Sequence, residues 1–233
     1  MRWKLISWNC CLPPWSLNRN RRLPLIASTI LKENPDLICL QEVFFESDAS
    51  YLIKKFFQKG FGQSFKYQDL LIASKKPILS SYAAKFKDQG KIFSFSALDA
   101  IYGKAFQAIS LQLKSHKLTL ANTHLLSAYA LSGKNYQDTR VRQVREILAY
   151  LKTLGHNNIA VVGDFNFEPE TKPYHIFEEL GFVDLSYHIP KNTTKKLDFV
   201  FDKNLALKVT AAGSKFTELS DHAYLTLELE ISN

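Results

Sequence analysis

The sequence predicts an α/β (α+β) fold in which two β-sheets pack face to face with helices outside. Short segments alternate apolar and polar residues, as half-buried strands do. Three longer segments repeat apolar residues at three and four positions, which is the period of a helix. Hairpins outnumber strand–helix–strand units, and this favours two packed sheets over a single parallel sheet.

In the first half of the chain, helical spacing of apolar residues predicts helices over 22–32 and 47–58. Pro24 fits the first helix only in its opening turn, where no backbone N–H is needed. The second helix is expected to turn four apolar side chains inward: Leu52, Ile53, Phe56 and Phe57. The predicted strands of this half cover residues 4–8, 37–40, 69–73 and 77–86.

The second half opens with a predicted hairpin over 105–113 and 118–124. Alternation places Leu118, Leu120, Asn122 and His124 on one face, so two polar residues continue an apolar face at the strand end. The longest predicted helix, 135–154, turns Val141, Val144, Leu148 and Leu151 inward and leaves Arg140 on the polar side. The remaining predictions are a helix over 172–180 and strands over 159–162, 197–201, 205–211 and 223–231.

The composition is typical of a globular protein, with 46% hydrophobic and 22% charged residues. Repeats and linker-like stretches are missing from the sequence, so a single domain over 1–233 is expected. Apolar runs stay far below the roughly 20 residues of a membrane-spanning helix. The odd count of three cysteines, two of them adjacent, predicts neither a disulfide framework nor a zinc site.

A cytoplasmic location is the default expectation, because the N-terminus lacks the apolar core of a signal peptide. Export without a conventional signal peptide stays open as an alternative. The net charge of +8 favours polyanionic partners: nucleic acid, an anionic membrane or a phosphorylated substrate. Solubility alone is the simpler explanation of that charge.

Polar residues recur where predicted strands end. Asp164 follows a buried apolar run and Gly163, so its carboxylate needs a partner or a metal. Asn166 lies two residues further and can point the same way, so the pair can position a water and hold a phosphate oxygen. A turn with a local Asn cap is the structural alternative.

The other candidates are weak singly. His222 is a candidate general base, and Asp198 could orient its ring. Glu42 and Asn9 end two strands and offer the hard oxygen ligands that Mg²⁺ or Mn²⁺ prefers. His124 could donate to phosphate, although a hydrogen-bonded core histidine is the commoner outcome. Together, these strand-end residues predict one shared site.

Six segments resemble the endonuclease/exonuclease/phosphatase superfamily, in order and in spacing. They are Ser7-Trp8-Asn9, Leu40-Gln41-Glu42-Val43, Asn122-Thr123-His124-Leu125, Val162-Gly163-Asp164-Phe165-Asn166, Leu197-Asp198-Phe199-Val200 and Ser220-Asp221-His222. The resemblance implies a four-layered α/β/β/α sandwich with mixed sheets, and an Mg²⁺-dependent phosphoric ester hydrolase in which Mn²⁺ can replace Mg²⁺.

The same resemblance implies a role for each residue. Glu42 would be the main metal ligand, with Asn9 and Asp221 assisting. Asp164 and Asn166 would orient the attacking water and the phosphate. His222, braced by Asp198, would act as base or as a phosphate-binding imidazole. His124 would hold a non-bridging oxygen, and Lys104 would also bind substrate.

Several features are most similar to the neutral sphingomyelinase-like branch of the superfamily. They include Trp8-Asn9-Cys10-Cys11-Leu12-Pro13, Gly103-Lys104-Ala105, and Tyr129 followed by Arg140 and Gln143. This branch implies a phospholipid headgroup substrate, peripheral membrane contact and a monomer. Trp15 or the 93–95 stretch are candidates to contact lipid, with buried packing the simpler expectation for both. A nuclease that acts on DNA or RNA is the alternative. Substrate choice is expected to lie in loops 10–20, 86–104 and 126–137.

Overall fold

The computed structural model describes residues 2–16, 18–90, 102–113, 116–127, 136–155, 158–189, 196–204 and 207–231. Four α-helices lie in these ranges: α1 (Arg19–Lys32), α2 (Glu46–Phe57), α3 (Gln137–Thr153) and α4 (Lys172–Glu179). The strands are β1 (Arg2–Leu12), β2 (Leu37–Val43), β3 (Gln63–Tyr67), β4 (Leu70–Ser74), β5 (Ile78–Lys85), β6 (Ala105–Leu113), β7 (His116–His124), β8 (Asn158–Asp164), β9 (Val183–Asp184), β10 (Asp198–Lys203), β11 (Leu207–Lys215) and β12 (Tyr224–Ile231).

These strands form two six-stranded sheets. The first has the order β11-β12-β1-β2-β4-β3, and the second has the order β5-β6-β7-β8-β10-β9. Each sheet is mixed: β1 and β2 are parallel, as are β7 and β8, and the other pairs are antiparallel. The two parallel pairs matter most for function, because parallel strands end at the same edge of a sheet.

Apolar side chains fill three layers. Leu5, Cys39 and Leu120 belong to the core between the sheets. A second core lies between the first sheet and helices α1 and α2, and a third between the other sheet and helices α3 and α4. Both sheets are therefore covered on both faces, which confirms the predicted α/β/β/α sandwich. Among the described residues, no helix is long and apolar enough to cross a membrane.

Three details of the predicted helices are wrong. Helix α1 begins at Arg19, so Pro24 lies in its second turn and not in its first. Pro24 has no N–H to donate to the Asn20 carbonyl, but both residues are exposed, so water can bind that carbonyl. Phe57 ends α2 and is 67% exposed, because the buried stripe runs through Leu52 and Phe56. Arg140, expected on the polar side of α3, is fully buried.

Candidate active site

The predicted site residues meet at one edge of the sandwich. Asn9 and Glu42 lie near the ends of the parallel strands β1 and β2. In the second sheet, His124 ends β7 and pairs in register with Asp164, which ends β8. Asp198 begins β10 opposite Asp164. Because both parallel pairs end on this side, the two sheets present their polar residues to each other.

Asp164 is the centre of the cluster and is only 1% exposed. Its Oδ2 accepts a hydrogen bond from Asn9 Nδ2 at 2.9 Å, and its Oδ1 accepts one from the backbone N–H of Asn166 at 2.9 Å. Burial alone would raise the pKa of Asp164, but the nearby His222 and His124 lower it below its usual value. The group is therefore a carboxylate at neutral pH, held by donors on both oxygens.

Gly163 allows β8 to reach this position. Its φ is 140°, and a Cβ built there would lie 2.0 Å from the carbonyl oxygen of Thr123 on β7. Any side chain would collide with backbone, which cannot swing aside as a flexible side chain can. The glycine before Asp164 is thus required by the close approach of two strands.

Asn9 joins the two sheets across the site. The same amide nitrogen that donates to Asp164 also donates to Glu42 Oε1 at 3.1 Å. Asn9 Oδ1 accepts the backbone N–H of Cys11 at 3.0 Å. Glu42 itself has a left-handed backbone, with φ of 58°, which is unusual for Glu and typical of strained functional positions. Carboxylate oxygens from both sheets therefore converge on one point.

His222 and Asp198 form the predicted pair. His222 Nδ1 lies 2.8 Å from Asp198 Oδ2, and its Nε2 faces Asp164 Oδ2 at 3.7 Å. Burial opposes the charged form of His222, but Asp198 and Asp164 raise its pKa to about 11. Without a metal, this imidazole is a cation with its Nε2–H available.

The loop that carries His222 is anchored by Ser220. Ser220 Oγ donates to the backbone carbonyl of Asn9 at 2.6 Å and accepts the N–H of His222 at 3.1 Å. Trp8 Nε1 donates to the His222 carbonyl at 2.9 Å. These bonds explain why Ser precedes Asp221-His222, and they tie the loop to β1.

His124 has a partner that sequence reasoning missed. Its Nδ1 lies 2.6 Å from Oδ2 of Asp69, a residue that is 2% exposed in the turn between β3 and β4. Lys104 Nζ lies 2.7 Å from the other ring nitrogen, Nε2. Burial and the Lys104 ammonium oppose the charged form of the ring, but the Asp69 and Asp164 carboxylates raise the pKa of His124 above its usual value. Lys104, His124 and Asp69 thus form one buried chain of polar contacts at the edge of the site.

The two remaining predicted residues take different positions. Asn166, with a φ of 52°, donates its side-chain N–H to the Leu125 carbonyl at 3.1 Å, so it braces the segment after His124. Asp221 is exposed at the rim, 3.4 Å from Ser220 Oγ, and also hydrogen-bonds the Cys11 side chain. The structure thus brings Asn9, Glu42, Lys104, His124, Asp164, Asp198 and His222 together, with Asn166 and Asp221 at the margin.

The residues noted for the sphingomyelinase-like branch have mixed outcomes. Arg140 Nη1 donates to the Leu126 carbonyl at 2.9 Å, and Gln143 Oε1 accepts the Leu126 N–H at 3.0 Å. Both therefore support the segment that follows His124. Trp15 is 51% exposed, so the expectation that it packs inside is wrong. Tyr129 and the 93–95 stretch lie outside the described residues.

Comparison with known protein families agrees with this geometry. The model of the Endonuclease/Exonuclease/phosphatase family matches residues 6–222. The chain belongs to this family. The match runs from β1, which carries Asn9, to His222, so it includes every residue of the cluster described above. The superfamily resemblance predicted from the six segments is confirmed.

Relatives within the family include enzymes named for sphingolipids. The chain is 29% identical over 195 residues to an inositol phosphosphingolipids phospholipase C of Schizosaccharomyces pombe, which covers 78% of this chain and 45% of the relative. It is 27% identical over 182 residues to sphingomyelin phosphodiesterase 2 of Mus musculus, which covers 73% of this chain and 42% of the relative. The chain therefore spans less than half the length of these curated relatives.

A solved structure shows the same fold with metal present. A Staphylococcus aureus beta toxin variant with bound magnesium ions superposes with a TM-score of 0.75 over 97% of this chain and 99% of that one, at 16% identity. At this identity the likeness establishes the shared four-layered fold. The donor set of this chain decides whether it can hold a metal.

Proposed function

We propose that the protein is a divalent-metal-dependent phosphodiesterase that hydrolyses the headgroup phosphodiester of a phospholipid, as a sphingomyelinase or phospholipase C does. The observation that carries the proposal is the position of Asp164. Its carboxylate lies between the Asn9–Glu42 pair and the His222–Asp198 pair, with His124 Nε2 at 3.6 Å. A base, a cation and carboxylates that can bind a metal, all around one point, suit phosphodiester hydrolysis. The sphingolipid-named relatives support the lipid substrate.

In this proposal Asp164 accepts a proton from the attacking water. Its lowered pKa keeps it ionised, and its hydrogen bonds to Asn9 and Asn166 fix the direction of its oxygens. A carboxylate that is held on two sides does not need to reorganise during the reaction.

Positive charge for the phosphoryl oxygens comes from two side chains. Asp198 and Asp164 raise the pKa of His222, which favours its cationic form, and Asp198 fixes its ring so that Nε2 faces the site. Of its two roles implied by the resemblance, phosphate binding is the one we propose. Lys104 supplies a second cation, positioned by His124, whose ring is in turn held by Asp69. Both cations stabilise charge that builds on the non-bridging oxygens.

The residues present fit a hard divalent cation. Glu42 Oε1 and Asp164 Oδ2 both lie within hydrogen-bond distance of one Asn9 nitrogen, so two carboxylate oxygens already converge. Potential ligand atoms of Asp164, Asp198 and His222 also lie within 4.8 Å of one another, and Asp198 Oδ1 is buried without a hydrogen-bond partner. Glu42 would hold Mg²⁺ or Mn²⁺, with the adjacent carboxylates contributing, and Asn9 would fix the Glu42 and Asp164 oxygens through its amide nitrogen. When bound, the ion supplies charge neutralisation at the phosphate.

Metal removal tests the proposal directly. Incubation with EDTA should reduce hydrolysis of sphingomyelin in detergent micelles by at least about 100-fold, because the clustered carboxylates would then repel the phosphate. Added Mg²⁺ should restore the rate, with Mn²⁺ compared at equal concentration. Turnover that is indifferent to chelation would refute the metal role.

A nuclease is the second candidate, and the net charge of +8 favours it. A basic surface that tracks a phosphate backbone loses affinity steeply as salt rises. A panel of sphingomyelin, lysolipids, phosphoinositides, and single- and double-stranded DNA and RNA, each with Mg²⁺, separates the two. Nucleic-acid cleavage with a steep salt dependence and no lipid turnover would select the nuclease.

A further inference from the structure

A depression of about 260 Å³ adjoins the candidate active site. Asp69, which holds His124, forms part of its wall, and Phe44, two residues after Glu42, forms another part. Glu46 and Tyr102 also line it. None of these lining side chains has a role in the proposed hydrolysis apart from Asp69. The depression therefore lies next to His124, through Asp69, and next to Glu42, through Phe44.

The aromatic walls suit a cation. The rings of Phe44 and Tyr102 meet at 66° with centroids 5.3 Å apart, and Trp15 lies 5.9 Å beyond Tyr102. Rings that meet at such an angle form two sides of a cage, and aromatic cages bind quaternary ammonium groups through their negative faces. The neighbouring Phe45 already has a cation, the guanidinium of Arg19, 4.0 Å from its ring centroid.

The charged side chains that line the depression also favour a cation. Glu46 and Asp69 are both carboxylates, and among the described residues that line the depression none is basic. Asp69 Oδ2 is paired with His124, whereas its Oδ1 is buried and has no hydrogen-bond partner. Lys66 lies 3.6 Å from Glu46 Oε1 but does not line the depression. A headgroup with an additional phosphate would find carboxylates here without the basic donors that bind anions.

We propose that this depression binds the cationic ammonium group of the substrate headgroup and makes the enzyme prefer such headgroups over inositol. The proposal rests on the proposed lipid phosphodiesterase function and adds the site that selects the headgroup. A quaternary ammonium would be held by Phe44 and Tyr102, and a primary ammonium would in addition be attracted by the Glu46 carboxylate. The shared requirement is one positive charge next to the phosphodiester.

A measurement of headgroup binding tests the proposed ammonium site without requiring turnover. Calorimetry with Mg²⁺ should show phosphocholine binding at least about tenfold more tightly than inositol 1-phosphate, with phosphoethanolamine distinguishing the primary from the quaternary amine. Tyr102→Ala should weaken phosphocholine binding about fivefold, and Tyr102→Phe should retain it because the ring remains. Glu46→Lys should reverse the preference. Tyr82→Ala, another exposed tyrosine, on β5, is the matched control and should bind as the wild type does.

The outcomes separate the two proposals. Equal or tighter binding of inositol 1-phosphate, or Tyr102 and Glu46 variants that change neither ligand, would overturn the headgroup assignment. Turnover of sphingomyelin, ceramide phosphoethanolamine and inositol phosphoceramide in the same micelles then tests the proposed function. If no lipid is hydrolysed, the lipid phosphodiesterase function fails even where the amine is bound. If inositol phosphoceramide is hydrolysed fastest, only the depression's role fails.

Discussion

Asp164 is the residue on which most of the site depends, since it touches the asparagines on both sides and faces both histidines. Asp164→Asn keeps its shape and removes its charge. We expect kcat with Mg²⁺ to fall about 10³-fold while the melting temperature stays within a few degrees. His222→Ala should cause a comparable loss. Asp138→Asn, whose side chain is 77% exposed on α3, is the control. More than a tenth of wild-type turnover in either site variant would contradict the assigned roles.

Gly163 permits a test of backbone geometry alone. In Gly163→Ala the new methyl would meet the Thr123 carbonyl at 2.0 Å, so β7 and β8 must separate. We expect the free energy of unfolding in urea to fall by about 3 kcal/mol or more. Gly62→Ala is the matched control, because a Cβ there meets nothing within 4 Å. A Gly163→Ala variant as stable as the control would show that the strands can relax.

Residues differ in how far the sequence predicts them. Asp164 was predictable because a carboxylate after a buried apolar run is costly without a partner. Glu42 was predictable only from the recurrence of polar residues at strand ends. The contact between Asp69 and His124 was not, because the two lie 55 residues apart and a turn Asp is ordinary. Lys104 entered through family resemblance alone, and the structure now places its ammonium against His124. Long-range pairs of this kind have no local pattern to reveal them.

At the scale of elements, Glu33 ties the end of α1 to the first sheet. Its carboxylate accepts hydrogen bonds from Lys215 on β11 at 2.6 Å, Tyr224 on β12 at 2.9 Å and Lys4 on β1 at 3.1 Å. Burial opposes ionisation, but these three donors lower the pKa of Glu33 to about 2. The depressed pKa means that the network stabilises the fold fully above about pH 4.5 and loses its effect as pH falls toward 2.

Glu33→Gln tests this connection. The variant should lower the free energy of unfolding by about 1 kcal/mol at pH 7, a modest value because water screens part of the network. The difference from wild type should shrink at pH 3, measured by urea unfolding at both values. Glu179→Gln, exposed at the end of α4, should show no difference at either pH. A loss that is independent of pH would indicate packing rather than charge.

The elements themselves were largely predictable because their periods are strong. Alternation placed Leu118 and Leu120 in the core between the sheets, and Asn122 on the same face accepts a hydrogen bond from Gln41 across that core at 2.8 Å. Where periodicity failed, a long-range contact was responsible: Arg140 is buried because it donates to the Leu126 carbonyl. The two-residue strand β9 is too short for any periodicity to show.

For the whole molecule, the fold was predictable and the substrate was not. Polar residues at so many strand ends require an architecture that brings those ends together, and two face-to-face sheets with parallel central pairs do so. Substrate choice depends on the loops 10–20, 86–104 and 126–137, whose composition has no regular pattern. Only part of these loops lies in the described ranges, and that part supplies Trp15 and Tyr102 beside the headgroup depression.

One buried carboxylate outside the candidate active site should make the stability of the whole molecule depend on pH. Asp202 on β10 shares the face of Val200, which packs in the core between the sheets. Asp202 is 6% exposed, its Oδ1 is buried without a hydrogen-bond partner, and burial raises its pKa to about 7. An acid whose pKa is raised by folding destabilises the folded state increasingly as pH rises from about 4 to 7.

Asp202→Asn should therefore raise the free energy of global unfolding by about 2 kcal/mol at pH 8, because an amide has no charge to desolvate. At pH 4 both proteins are neutral at this position, and the gain should disappear. Urea unfolding at the two pH values measures the difference, with Asp138→Asn as the exposed control. A gain of equal size at both pH values would mean that amide hydrogen bonding, not the buried charge, accounts for the change. No change at pH 8 would mean that the ionised carboxylate reaches water.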